Sequence, residues 1–312
     1  MFRLNPFVGM CAAVGMLAST TARSSEGPWT TPKGLHNFYT GLYFERFQCF
    51  TLDGVNDAEC GENAAAIPAP VQRVGAKLFY RTGLTRNVDV AGSLPVLRAF
   101  SSEEGNTDLA PTTGVGTLQT RVRWKMGDLG PIQVASGAGL ETGVLHRSTR
   151  GRITNLGDGV TSAVGTVYAG ATGLVGRRFY TVSTDASYVF RFPELDSDVG
   201  RLPADEVRFS SVLLYALNAR VGIGASVDGQ MRLWGEPLEF AQLATYGGDD
   251  DSPRWAVLDA SQIKVGGRIA LYPTENRPYL QAAVHRSVWA VHNPIDTTIV
   301  ELAAGFDLGE RK

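Results

Sequence analysis

The feature that most restricts this chain is a two-part rhythm. Runs of residues alternate between apolar and polar side chains, and the connections between runs are by turns short and long. Alternation with period two is the signature of a strand that shows one face to each of two environments. In Arg73–Arg81, Val74, Ala76, Leu78 and Tyr80 fall on one face, and Arg73, Lys77 and Arg81 on the other. Leu118–Met126 repeats the pattern, with Val122, Trp124 and Met126 opposed to Arg121, Arg123 and Lys125. Val182, Ala186, Tyr188 and Phe190 oppose Thr181, Asp185 and Arg191, and similar runs continue to Thr298–Leu308. No apolar stripe at helical spacing is sustained anywhere after the N-terminus.

The chain turns tightly at 82–87, 127–131, Gly176-Arg177, Asn218-Ala219 and 273–278. Longer polar connections run from Leu52 to Pro70, Ser101 to Thr113, Thr142 to Asp158, Pro193 to Asp205 and Gly235 to Arg254. Such alternation predicts an up-and-down transmembrane antiparallel β-barrel, with turns on the periplasmic rim and loops outside. Strand centres near 42, 77, 92, 121, 136, 166, 186, 212, 228, 265, 284 and 302 give about twelve strands, an even number of the expected kind. The first strand is expected to close against the last, because unpaired backbone groups find no water in lipid. A secreted β-sandwich or soluble barrel is the competing fold. Aromatic residues near strand ends (Phe38, Trp124, Tyr168, Phe179, Tyr180, Trp255, Tyr272, Tyr279) are candidates for interface belts.

Composition agrees. The chain has 29 basic and 31 acidic residues among 312, so it lacks the basic excess of a nucleic-acid binder. Residues 1–22 read as a secretory signal peptide: Arg3, an apolar stretch, then Ser19-Thr-Thr-Ala22 as a small-residue cleavage site. Met10 before Cys11 does not suit a lipid-attachment site. Residues 23–33 are then a periplasmic N-terminal segment and 34–312 the barrel. Export leaves Cys49 and Cys60, eleven positions apart, as a loop-closing disulfide. The destination is a bacterial outer membrane.

Several stretches resemble one family. Tyr80–Pro95, Thr113–Lys125, Gly137–Gly143 and Leu156–Gly159 are similar to hairpin and strand motifs of the outer-membrane family named for the meta-pathway of phenol degradation. Thr117 stands where that family has Asp, and no Pro precedes Thr142-Gly143. The resemblance covers about Val71 to Tyr188 and implies a transporter-like barrel that passes small organic molecules.

Charged residues on strands cannot face lipid at mid-depth without a cost of about 2–4 kcal/mol for each Arg or Lys. The phasing therefore sends Arg73, Lys77, Arg81, Arg121, Arg123, Lys125, Arg191, Arg208, Lys264 and Arg268 into the lumen. Glu45, Asp89, Glu141, Asp185, Asp228 and Glu301 oppose them. They read either as a bracing network or as a polar pathway favouring anionic or polar aromatic solutes. No catalytic set, metal centre or cofactor is expected, and the partners are outer-membrane lipid and a small solute. His36, His146 and His292 suggest no site. The one enzymatic alternative is a wall-mounted lipid hydrolase using His285 and Ser287, which share a strand face. Another is a closed structural barrel whose loops bind a partner. Asp249–Asp251 reads as a solvated loop tip.

Overall fold

The computed structural model describes residues 28–51, 64–102, 110–143, 161–192, 205–233, 261–271, 279–291 and 296–309. Residues 1–27, Cys60 and the side chain of Cys49, His146, His292, Asp249–Asp251, Trp255 and Tyr272 lie outside the described residues. The strands are β1 (His36–Thr51), β2 (Ala64–Gly83), β3 (Val88–Ser101), β4 (Thr112–Val115), β5 (Leu118–Leu129), β6 (Ile132–Thr142) and β7 (Thr161–Val175). They continue as β8 (Arg178–Arg191), β9 (Asp205–Ala216), β10 (Val221–Leu233), β11 (Ser261–Leu271), β12 (Tyr279–Val291) and β13 (Thr298–Leu308).

Consecutive wall strands pair antiparallel, and β1 pairs with β13 from His36↔Leu308 to Arg46↔Thr298. That last ladder closes the sheet into a barrel and removes both edges. Each expected strand centre falls inside a strand. The count needs one refinement, because the fourth wall position is shared. β5 pairs with β3 from Val88↔Trp124 to Ser93↔Gln119, and β4 then takes over from Val96↔Val115 to Ala99↔Thr112. Pro95 lies at the break. It has no N–H to give, so the ladder is carried there by Gly116 N–H donating to the Pro95 carbonyl (2.9 Å). The wall thus has twelve strands, one of them in two pieces. β2 also begins at Ala64, earlier than the sequence rhythm suggests.

Parity divides each strand as lipid requires. Leu42, Leu78, Leu140, Val167, Val284 and Leu302 face outward and are exposed, whereas their sequence neighbours are buried or half-buried. At the short-turn end the outward ring of Phe38 packs on Tyr80 (centroids 4.8 Å) and Phe306 (5.6 Å), as an interface belt does. Tyr168 and Tyr279 are different. Both are buried on the inner face, so they are not belt residues. The two-residue turn between β7 and β8 uses Gly176 at φ 63°, a left-handed conformation that other residues adopt at a cost.

Leu302 sits mid-strand on the outer face, 53% exposed, paired with Leu42 and Ala282. Leu302→Arg places a cation in the apolar belt. It is expected to lower stability in bilayers by about 2–4 kcal/mol, read as a shifted urea midpoint; Leu302→Ile should leave that midpoint nearly unchanged.

Candidate functional site: the barrel lumen

The inner face is the chemically rich surface. Glu45, Arg73, Lys77, Arg81, Asp89, Arg121, Arg123, Lys125, Glu141, Asp185, Arg191, Arg208, Asp228, Lys264, Arg268 and Glu301 all occupy the parity of their strands at which side chains are buried or half-buried. They form groups at different positions around the wall.

Toward the long-loop end, Glu141 on β6 accepts from Arg208 on β9 (2.8 and 2.7 Å) and from Arg121 on β5 (3.2 Å). Gln119 adds a further bond to the same carboxylate (3.2 Å). Arg208 also donates to Glu206, which in turn accepts from Arg191 on β8 at 2.7 Å. Two carboxylates and three guanidinium groups thereby link β5, β6, β8 and β9. Glu206 was absent from the expected set, although its spacing of two from Arg208 puts both on one face.

On another arc, Glu45 accepts from Arg73 (3.1 Å) and from the Tyr43 hydroxyl (2.5 Å). Asp228 on β10 accepts from Ser210 (2.6 Å) and lies 3.4 Å from Nδ1 of His285 on β12. Arg268, buried on β11, lies within electrostatic reach of Asp228 and Glu301. Lys125 reaches Asp128 near the turn (3.0 Å).

His285 and Ser287 are buried on the inner face, whereas Val284 and Val288 face outward beside them. The Ser287 hydroxyl accepts from Gln262 (2.6 Å), and His285 is turned to Asp228 and Ser226. A hydrolase acting on bilayer lipid needs its nucleophile toward the acyl chains, so this geometry does not favour that alternative.

The end with the short turns is spanned by the N-terminal segment. Lys33 bridges to Gly83 at the end of β2, and Thr31 N–H donates to Asp89 on β3 at 2.7 Å. Asp89 simultaneously pairs with Arg123 of β5 (2.6 Å), whose guanidinium lies 5.5 Å from the Tyr168 ring centroid. Thr31 also donates to Asn37 (3.0 Å), and Asn37 to Asp307 (2.6 Å). The segment then reaches β7. A Cβ at Gly170 would come within 2.7 Å of Pro28 and 2.9 Å of Trp29. Contacts on β2, β3 and β7 carry residues 28–33 across the base of the lumen. Gly83 permits this, because a Cβ there would lie 2.1 Å from the Pro32 carbonyl oxygen.

Above the base, a cavity of about 190 Å³ opens against β13, β1, β2, β3 and β5. Pro95, Leu97 and Ala303 supply apolar lining, and Tyr43, Lys77 and Glu301 supply polar lining.

No family model and no curated protein sequence matches the chain. Solved structures do. The COG4313 outer membrane channel from Pseudomonas putida F1 superposes with a TM-score of 0.62 at 13% identity, covering 90% of this chain and 98% of that one. The translocator domain of the autotransporter NalP from Neisseria meningitidis gives 0.47 at 14% identity, covering 96% of each chain. The TodX monoaromatic hydrocarbon channel gives 0.41 at 11%, covering 90% and 92%. At such identities the likeness is one of fold, and the first carries it. A closed wall with an apolar exterior, a charged interior and this likeness make the chain an outer-membrane β-barrel.

Proposed function

We propose that the protein is a passive channel for small organic solutes across the bacterial outer membrane, and that it belongs with the family named for the meta-pathway of phenol degradation. One observation carries the reading: an enclosed interior of alternating cations and carboxylates, with a cavity lined by both apolar and polar residues. A dry apolar cavity of about 150 Å³ is large enough for benzene, so this one suits a single-ring solute bearing a polar or anionic group. The inward Arg and Lys residues line the path, and the carboxylates among them brace the wall and keep the potential from trapping an anion. In the same reading, residues 1–22 direct export, Cys49 and Cys60 close the first long loop, and no catalytic step or cofactor takes part.

Purified protein in planar bilayers should show discrete single-channel currents, and proteoliposomes should swell in isosmotic solutions of small aromatic alcohols. A folded protein with neither current nor swelling would overturn the channel reading and leave a closed structural barrel.

A further inference from the structure

Toward the long-loop end, the outer face of the described strands carries three arginines that the lumen does not absorb. Arg46 on β1, Arg98 on β3 and Arg286 on β12 are exposed and stand at outward parity, beside Phe44, Val96 and Val284 respectively. They lie close together. Arg286 pairs with Thr298, and Thr298 pairs with Arg46, so one hydrogen-bonded row joins β12, β13 and β1. Residues two strands apart in such a row are separated by about 10 Å, within reach of two extended guanidinium groups converging on one ligand. Arg46 pairs with Gln72 on β2, and Gln72 with Phe100 on β3; Arg98, two residues before Phe100, lies 5.8 Å from its ring centroid. The patch therefore spans β12, β13, β1, β2 and β3 on one side of the barrel.

Its height is fixed by the belt at the opposite end. From Phe38 to Arg46 is eight residues, or about 27 Å of strand, which is about 20 Å of height at a tilt of roughly 40°. An apolar band is about 25 Å tall, so the Arg46 backbone stands about 5 Å inside its far edge, and the extended side chain snorkels to the interface on the long-loop, outer side. Thr298 is the first residue of β13, which places the same row near the rim.

None of the three arginines has a carboxylate partner among the described residues. Asp296, which leads into β13, accepts the backbone N–H of Gln48 (2.9 and 3.2 Å). Outward-facing Asp205 sits on β9, away from the patch, and is held by the Tyr188 hydroxyl. Three cations on a lipid-facing wall, with no carboxylate beside them among the described residues, call for an anion supplied by the membrane. Guanidinium forks match phosphate oxygens with paired charge-assisted hydrogen bonds, and the outer leaflet of this membrane is built of a phosphorylated glycolipid.

We infer that Arg46, Arg98 and Arg286 form a binding site for the phosphate groups of the outer-leaflet glycolipid, with Thr298 and Gln72 as polar neighbours and Phe44, Val96 and Val284 against its acyl chains. The site holds the barrel at a set depth and faces away from the conduction path, so it stands independently of the channel reading.

Native mass spectrometry of the detergent-solubilised full chain tests it, with diphosphoryl lipid A, the same lipid with both phosphates removed, and inorganic phosphate as separate probes. Diphosphoryl lipid A should bind, and the dephosphorylated lipid should bind roughly tenfold or more weakly. Arg46→Gln with Arg286→Gln should lose a comparable factor, and the corresponding double Lys variant should lose less, because it keeps the charge without the fork. Each variant is checked for the heat-modifiable mobility of a folded barrel, and the Lys pair stands in should the Gln pair not fold. Equal binding of the two lipids, or unchanged affinity in the folded variants, would overturn the inference. Inorganic phosphate binding as tightly as the lipid would do the same, since it assigns the site to a soluble anion.

Discussion

A mature chain that starts at Lys33 is expected to carry several-fold more current per channel than one that keeps residues 23–32. The reason is geometric. Pro28–Lys33 passes over the lumen base from Gly83 to Gly170, and it is fastened there by the Thr31 N–H bond to Asp89. Asp89 stays satisfied after truncation, because Arg123 remains 2.6 Å away, so the wall itself is expected to survive. The loss comprises the Thr31 bond to the charged Asp89, about 1.5–3 kcal/mol, the neutral bonds from Thr31 to Asn37, Thr30 to the Arg86 carbonyl and Leu35 N–H to the Pro32 carbonyl, and the packing of Pro28 and Trp29. Gly83→Ala gives an independent route to the same end. The added methyl group meets the Pro32 and Thr31 carbonyl oxygens, which belong to the strap, and it should displace the strap and raise conductance part of the way. Equal single-channel conductance in full-length and truncated protein would show that the narrowest point lies elsewhere.

Replacement of Glu206 should have a large effect on stability. Its carboxylate accepts from Arg191 across the β8–β9 seam, and it shares Arg208 with Glu141. Both Arg191 and Glu206 are almost fully buried, with side-chain exposures of 2% and 1%. Removing one member of a buried pair leaves the other desolvated, which typically costs about 3–5 kcal/mol. Glu206→Ala should approach that range in a urea titration. Glu206→Gln, which keeps an acceptor oxygen, should lose less. Because the substitution also removes a negative charge from the lumen, the reversal potential under a salt gradient should move toward anion permeation in both variants. A stability loss below about 1 kcal/mol would mean that water reaches Arg191 and replaces the carboxylate, as it does for an exposed pair.

Much of this architecture is legible in the sequence, for a physical reason: period two is imposed by strand geometry, and lipid on one side makes it visible. Arg121-Val-Arg-Trp-Lys125 could fold only one way in such a wall, and its three charges take the parity that the alternation sets. Four things escaped. The break between β4 and β5 depends on Pro95 lacking a donor opposite Gly116, and a four-residue strand is too short to announce itself by alternation. Tyr168 and Tyr279 were assigned to the membrane interface by residue type, yet parity sets Tyr168 beside Thr166 and Gly170 and Tyr279 beside Gln281, on the inner face. The strap was invisible because its docking rests on what Gly83 and Gly170 lack, and missing side chains leave no periodic trace. Glu206 could have been read from its spacing to Arg208. Its joint hold on Arg191 depends on the β8–β9 register, which only the folded pairing supplies.

The seam between β1 and β13 decides more than the absence of edges. His36 pairs with Leu308, so the two ends of the barrel sequence emerge side by side at the rim of short turns. A reporter fused before β1 or after β13 would therefore stand in the periplasm. An epitope spliced into the connection between β10 and β11 would be displayed to the medium. The same seam makes β1 the partner of the strand synthesised last, so the wall stays open until residue 308 arrives, and insertion must finish as one closing event between segments nearly the whole chain apart.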